Sequence, residues 1–162
     1  MRLLLNLVSH YIGTTLHKVW VMWYCLKFSA KLLKRAVLHD LSKYSDVETE
    51  GFVRIIHNLK SSTYGSDSYE KMLAGDDIVR KGTAHHYTIN RHHPEHFLEG
   101  LDDLATLRNG MNLLDVVEMF CDWRAAVKRH KNGDIERSIE VNRKRFDLAP
   151  ETVVILHRST EL

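Results

Sequence analysis

Apolar positions recur at helical spacing along the whole chain, and no stretch alternates convincingly as a strand would. Between residues 3 and 28, Leu, Val, Ile, Trp and Met cover most of a helix circumference. That predicts a long helix buried on several sides, with Gly13 a candidate bend. One stripe breaks the apolar surface: Asn6, His10, Gly13, His17 and Tyr24 fall on one face. A polar stripe on a buried helix needs partners, which a metal, a polar cavity or a neighbouring carbonyl would supply.

Ser29 reads as the cap of a second helix, Ala30 to His39, whose stripe Leu32, Leu33, Ala36, Val37 faces the core. Ser45-Asp46-Val47-Glu48 resembles a capping box and opens a helix to about Asn58. Residues 60–67 read as loop. Asp67 and Asp76-Asp77 are caps for two further helices, the second ending near Asn90 because Pro94 disfavours helical geometry just before it. A short helix is expected over Asp102–Arg108, a break at Asn109-Gly110, and a strong helix from Met111 to Lys131. The last helix carries the acids Asp115, Glu118 and Asp122 on one face, which is either its solvent side or a cation site. After Asn132-Gly133 come an amphipathic basic helix over 134–147 and a final one opened by Pro150. The expectation is an all-α single domain over 1–162, with six to eight helices. Its site-bearing core spans about 10–130, C-terminal helices occupy 134–162, and helices 3–28 and 111–131 are both buried.

Composition changes this picture little. The chain has 162 residues, 44% apolar and 27% charged, as for an ordinary globular domain. A net charge of +2 gives no global argument for nucleic acid. Two cysteines, Cys25 and Cys121, lie in apolar helical patterns without a C-x-x-C, so buried free thiols in a reducing compartment are expected. The N-terminus lacks the form of a signal peptide, and the run Val19 to Leu26 is far short of a membrane span. A cytoplasmic protein without membrane attachment is the expectation. Charge is unevenly spread: residues 1–43 carry seven Lys/Arg against one acid, and 95–122 carry seven acids against one base. Such a distribution suits a site holding a cation and an anionic substrate together.

The chemistry centres on Ala36-Val37-Leu38-His39-Asp40-Leu41-Ser42-Lys43. Imidazole and carboxylate are natural ligands for ions such as zinc, manganese or iron. Adjacent side chains in mid-helix diverge by about 100°, but at a helix end they can converge. Lys43 then places a positive charge near any anion bound there. Five of the eleven histidines fall in His85–His96. Of these, His85 or His86 would project from a last helical turn and His92 or His93 from the following loop. No glycine-rich phosphate loop, G-x-S-x-G or Cys-His nucleophile arrangement is present.

In chain order, His17, His39-Asp40, His85/His86, His92/His93 and Asp115/Asp122 resemble the HD-domain superfamily of metal-dependent phosphohydrolases. Val37-Leu38-His39-Asp40-Leu41-Ser42-Lys43 is similar to that family's H-D-x-G-K form, with Ser42 where glycine is usual. The G-Y-P signature of the HD-GYP branch is absent, so cyclic-dinucleotide hydrolysis is not carried over. The string also resembles an uncharacterised small family of bacteria and their phages. The HD resemblance covers roughly residues 10–130 and implies an HD-like helical bundle. It further implies one or two divalent ions (Mn, Fe, Zn, Co or Ni) held by His17, His39, Asp40, His86, His92 or His93, and Asp122 or Asp115. Asp40 would bridge the ions, Lys43 and Arg91 would contact the phosphate, and Glu95 or Glu118 would relay protons. His96 is expected outside the ligand set. The implied activity is hydrolysis of a nucleotide or other small phosphate ester. The alternatives are a di-iron oxygenase on the same scaffold and a non-enzymatic, metal-containing nucleotide-binding protein. A homodimer is left open as the assembly.

Overall fold

A computed structural model describes residues 1–61, 67–97, 110–129 and 133–161, the side chains of 59–61 and 67–70 excepted. The chain is all-α: among the described residues there are seven α-helices, two short 3-10 turns and no strand. The helices are α1 (Arg2–Leu38), α2 (Asp46–Ser61), α3 (Asp67–Ala74), α4 (Asp77–Ile89), α5 (Leu113–Lys128), α6 (Ile135–Phe146) and α7 (Pro150–Arg158). The 3-10 turns are Leu41–Tyr44 and Pro94–Phe97. The chain divides into two compact units, Met1–Leu38 and His39–Leu162. The expected helix at Asp102–Arg108 lies outside the described residues.

The first unit is one continuous helix, which corrects two expectations. Ser29 does not cap a second helix, because Phe28, Ala30 and Lys31 have ordinary helical propensity and one serine is a weak interruption. Nor is α1 buried: it has no buried residue, and Trp20 and Trp23 are more than half exposed. An apolar pattern that runs round the whole circumference records a demand for partners, and a single helix cannot meet that demand within itself. No described helix is long and apolar enough to cross a membrane.

In the second unit, α2, α3 and α4 share a core of Ile55, Leu73 and Val79, flanked by Phe52 and Met72. Helices α5, α6 and α7 share a larger one: Met119, Phe120, Trp123, Ile139, Phe146, Val153 and Leu156. Each such side chain contributes about 1.5–3 kcal/mol when fully buried. His157 of α7 also bonds Glu136 and Glu140 of α6.

The α2–α4 crossing sets up the site. Gly51 and Gly82 face each other so closely that a Cβ on Gly82 would stand 3.0 Å from the Val47 carbonyl oxygen. Two backbones meeting at glycine bring Glu48, one turn before Gly51, within reach of His85 and His86, one turn after Gly82.

Helix α5 opens with a capping box, in which the Asn112 side chain accepts from Leu114 and Asp115 N–H and Asp115 accepts from the Asn112 N–H. Its acids do not line a solvent face: Asp115 and Glu118 are buried. Cys121 is exposed instead, as is Cys25, against the expectation of buried thiols. Inward acids take positions on α5 that the apolar pattern alone assigns to hydrophobes.

Candidate metal centre

The His39-Asp40 pair sits in a turn just after Leu38. Asp40 has φ 57° and ψ 19°, the left-handed region. Aspartate tolerates this better than most residues, at a cost of about 1–2 kcal/mol. The reversal makes adjacent side chains converge: His39 Nε2 lies 3.4 Å from Asp40 Oδ2.

The two oxygens of Asp40 face different groups. Oδ1 lies 3.5 Å from His86 Nε2 and 3.4 Å from His92 Nε2. His86 Nε2 in turn lies 2.9 Å from His93 Nε2. These three imidazoles are 3%, 2% and 7% exposed, so this inner group is nearly sealed from solvent. On the other side, His39 Nε2 faces both Asp40 Oδ2 and, at 3.5 Å, Asp122 Oδ1. Asp40-His86-His92-His93 and His39-Asp40-Asp122 are each close enough to share an ion.

Behind the imidazoles stand two buried carboxylates. Glu48, 0% exposed, accepts from His86 Nδ1 at 2.8 Å, from His85 Nδ1 at 2.7 Å and from the Ser42 hydroxyl at 3.1 Å. Glu118 accepts from His39 Nδ1 at 2.9 Å, with His92 Nδ1 3.4 Å from the same oxygen. On His86, a proton held on Nδ1 by Glu48 leaves Nε2 with its lone pair, the arrangement typical of metal-ligating histidines. Asn90 braces this network, donating from Nδ2 to Ser42 Oγ at 2.7 Å and to the His86 carbonyl at 2.9 Å. Ser42 thus earns its place in the H-D-x-S-K string through its hydroxyl.

Protonation follows burial and charge. Burial, with help from neighbouring imidazoles, pushes the His93 imidazole well below its usual range and His92 down to about 4. His86 is lowered chiefly by burial too. All three are therefore neutral, as ligands must be. His39 is raised to about 9, mainly by its hydrogen bond to Asp122, against burial and with help from Glu118 and Asp40. Burial pushes the Asp40 carboxyl up. The charge and hydrogen bond of Lys43, then His86 and His39, overcome this and hold it below the usual carboxylate range.

The remaining sequence-predicted residues have other surroundings. His17 is exposed on α1, lining a shallow surface depression with Asn6, Ser9, His10, Gly13 and Thr14. It belongs to the first unit. In the second unit, Asp115 is in none of the groups of described residues that could share an ion; besides the α5 cap it takes a bidentate bond from Arg91, Nε to Oδ1 at 3.3 Å and Nη2 to Oδ2 at 3.1 Å. Arg91, stacked on Phe97, thereby ties the His92-His93 turn to the start of α5. Glu95 accepts from Arg145 of α6 at 2.9 Å. His96 bonds the Tyr87 carbonyl, outside the ligand groups. Lys43 Nζ donates to Asp40 Oδ2 at 2.5 Å. Glu48 is the residue that sequence reasoning missed. It ends the Ser45-Asp46-Val47-Glu48 string that resembles a capping box, but the Ser45 N–H goes to the Ser42 carbonyl and the Glu48 side chain turns to the histidines instead.

The donor set fits a divalent ion. Ligand atoms bound tetrahedrally at about 2.1 Å lie about 3.4 Å apart; the His86–His93, His86–Asp40 and His92–Asp40 pairs lie 2.9–3.5 Å apart, and all four ligand atoms lie within 4.8 Å of one another. Asp40 Oδ1 and His92 Nε2 are buried without a hydrogen-bond partner, and both point into the inner group. Orphaned polar atoms of this kind are costly unless an ion or water completes them.

No curated protein and no solved structure matches the chain. One family model does, over residues 8–161, and it spans most of the helix of the first unit and nearly all of the second. The chain therefore belongs to DUF5662, a family of unknown function.

Proposed function

We propose that this protein is a metal-dependent phosphohydrolase acting on a nucleotide or other small phosphate ester, on an HD-like scaffold. The observation that carries the reading is the double-sided carboxylate of Asp40. Its Oδ1 faces the His86-His92-His93 group, and its Oδ2 faces His39 and Asp122. One residue is thus positioned to serve two adjacent ions. Divalent ions held by these residues would supply an activated water and neutralise charge on a phosphate ester. Glu48 and Glu118 hold the imidazoles in the ligating tautomer and orientation. Lys43 offers an ammonium beside Asp40 that can meet a non-bridging phosphate oxygen. Arg91 and Glu95, engaged with Asp115 and Arg145, hold the turn in place and take no direct part.

The nitrogen-rich inner group also suits iron, and this observation supports a di-iron oxygenase as the second reading. The test is phosphate release from a panel of nucleoside monophosphates and phosphodiesters, with Mn2+, Co2+ or Zn2+ added and oxygen removed. Hydrolysis that is lost in Asp40→Asn is expected. No hydrolysis across the panel, with tightly bound iron and oxygen uptake, would replace this reading by the oxygenase.

A further inference from the structure

The two ion positions differ in a way that orders their filling. The inner group offers three nearly sealed imidazoles and an Asp40 oxygen with no hydrogen-bond partner. The outer group offers His39 and Asp122, each about a quarter exposed, and the other Asp40 oxygen. That second oxygen already has a cation: the Lys43 ammonium sits on it at 2.5 Å, three residues along the 3-10 turn. Lys43 Nζ also lies 5.5 Å from the centre of the Phe52 ring, whose face offers an ammonium a second resting place. An ion can enter the inner group without displacing any protein cation, whereas an ion in the outer group must compete with Lys43.

We propose that Lys43 is a tethered counter-ion for the outer position, so that the inner position fills first and tightly and the outer one fills only as the lysine lets go of Asp40. Once released, the same ammonium is free for an anionic ligand, so filling of the outer position and recruitment of the anion are coupled. This inference rests on the two-position reading of the centre.

The test is a Mn2+ titration of untagged, metal-stripped full-length protein, with free Mn2+ counted by electron paramagnetic resonance. Two classes are expected in the wild type, the second at least tenfold weaker than the first. Replacing a charge-assisted hydrogen bond by nothing shifts a competing equilibrium by about tenfold. Lys43→Met should therefore tighten the second class by about that factor and leave the first within about twofold. Lys43→Arg, which keeps the cation, should leave the second class weak. Lys43 is a surface residue of a turn, and a far-ultraviolet spectrum confirms that each variant is folded. His39→Ala should remove the weak class alone, which assigns it to the outer position. A weak class that Lys43→Met leaves unchanged, or two equal classes in the wild type, would overturn the proposal while leaving the metal centre standing. A wild type that binds no Mn2+ would overturn both.

Discussion

Replacing Glu48 by glutamine tests the carboxylate-backed histidines without changing side-chain size. Glu48 is 0% exposed and accepts three hydrogen bonds, from His85, His86 and Ser42. A glutamine has one acceptor oxygen and a donating amide. If the oxygen keeps His85, the amide faces His86 Nδ1, which must then accept. The proton moves to Nε2, the atom 2.9 Å from His93 Nε2 and 3.5 Å from Asp40 Oδ1. One inner ligand is lost. Loss of such a supporting partner costs about 10–100-fold in metal affinity, or about 1.4–2.8 kcal/mol. Folding loses a similar amount, about 1–3 kcal/mol, for the mismatched buried group, because the amide still fills the space. Competition with a chelator for Zn2+ or Co2+ measures the first quantity and urea unfolding of the metal-free protein the second. His85→Ala, which leaves the Glu48–His86 bond intact, should change affinity by less than about threefold against the 10–100-fold of a lost partner. A folded Glu48→Gln protein with wild-type affinity would refute the reasoning.

Three further outcomes follow from the packing. Arg91→Met should destabilise the protein by about 1–3 kcal/mol in urea, because buried Asp115 loses its bidentate partner and Arg91 is half-exposed; an unchanged midpoint would mean the α5 cap alone satisfies Asp115. Gly82→Val should cost about 1–3 kcal/mol and weaken metal binding, since a Cβ there meets backbone at 3.0 Å and pushes α2, with Glu48, away from His86; tight binding in a stable variant would show that the close crossing is dispensable. His157 is raised by its hydrogen bonds to Glu136 and Glu140. A raised histidine stabilises fully below its unfolded value of about 6.5 and loses that contribution as pH rises through its folded value. The stability advantage of wild type over His157→Gln should therefore shrink from pH 6 to pH 9, and an advantage that grows would reverse the assignment.

Much of the candidate centre was legible in the sequence because its histidines and acids break helical apolar patterns. His39-Asp40 ends an apolar run, and His86, His92 and His93 crowd a short stretch that a proline interrupts. What the pattern concealed are residues with two adequate explanations. Glu48 reads as a capping-box acid, and only the approach of Gly51 to Gly82 turns it toward the histidines. Asp115 reads as one of three ligand-like acids, and only the Asn112 cap and Arg91 give it another task. The all-α class follows from periodicity, but periodicity records only that α1 is apolar on nearly every side. It says nothing of which surface meets those side chains, and within the first unit taken by itself they stand exposed.

The most direct measurement of the central claim is elemental analysis of the full-length protein purified without a His-tag, alongside Asp40→Asn. Asp40 is the one residue shared by the inner and outer groups. About one equivalent or more of a divalent transition metal is expected per wild-type chain, held at the tetrahedral type of site, and almost none in a variant with the same helical spectrum. Equal metal in both proteins, or a wild type that carries none and takes up none, would contradict it.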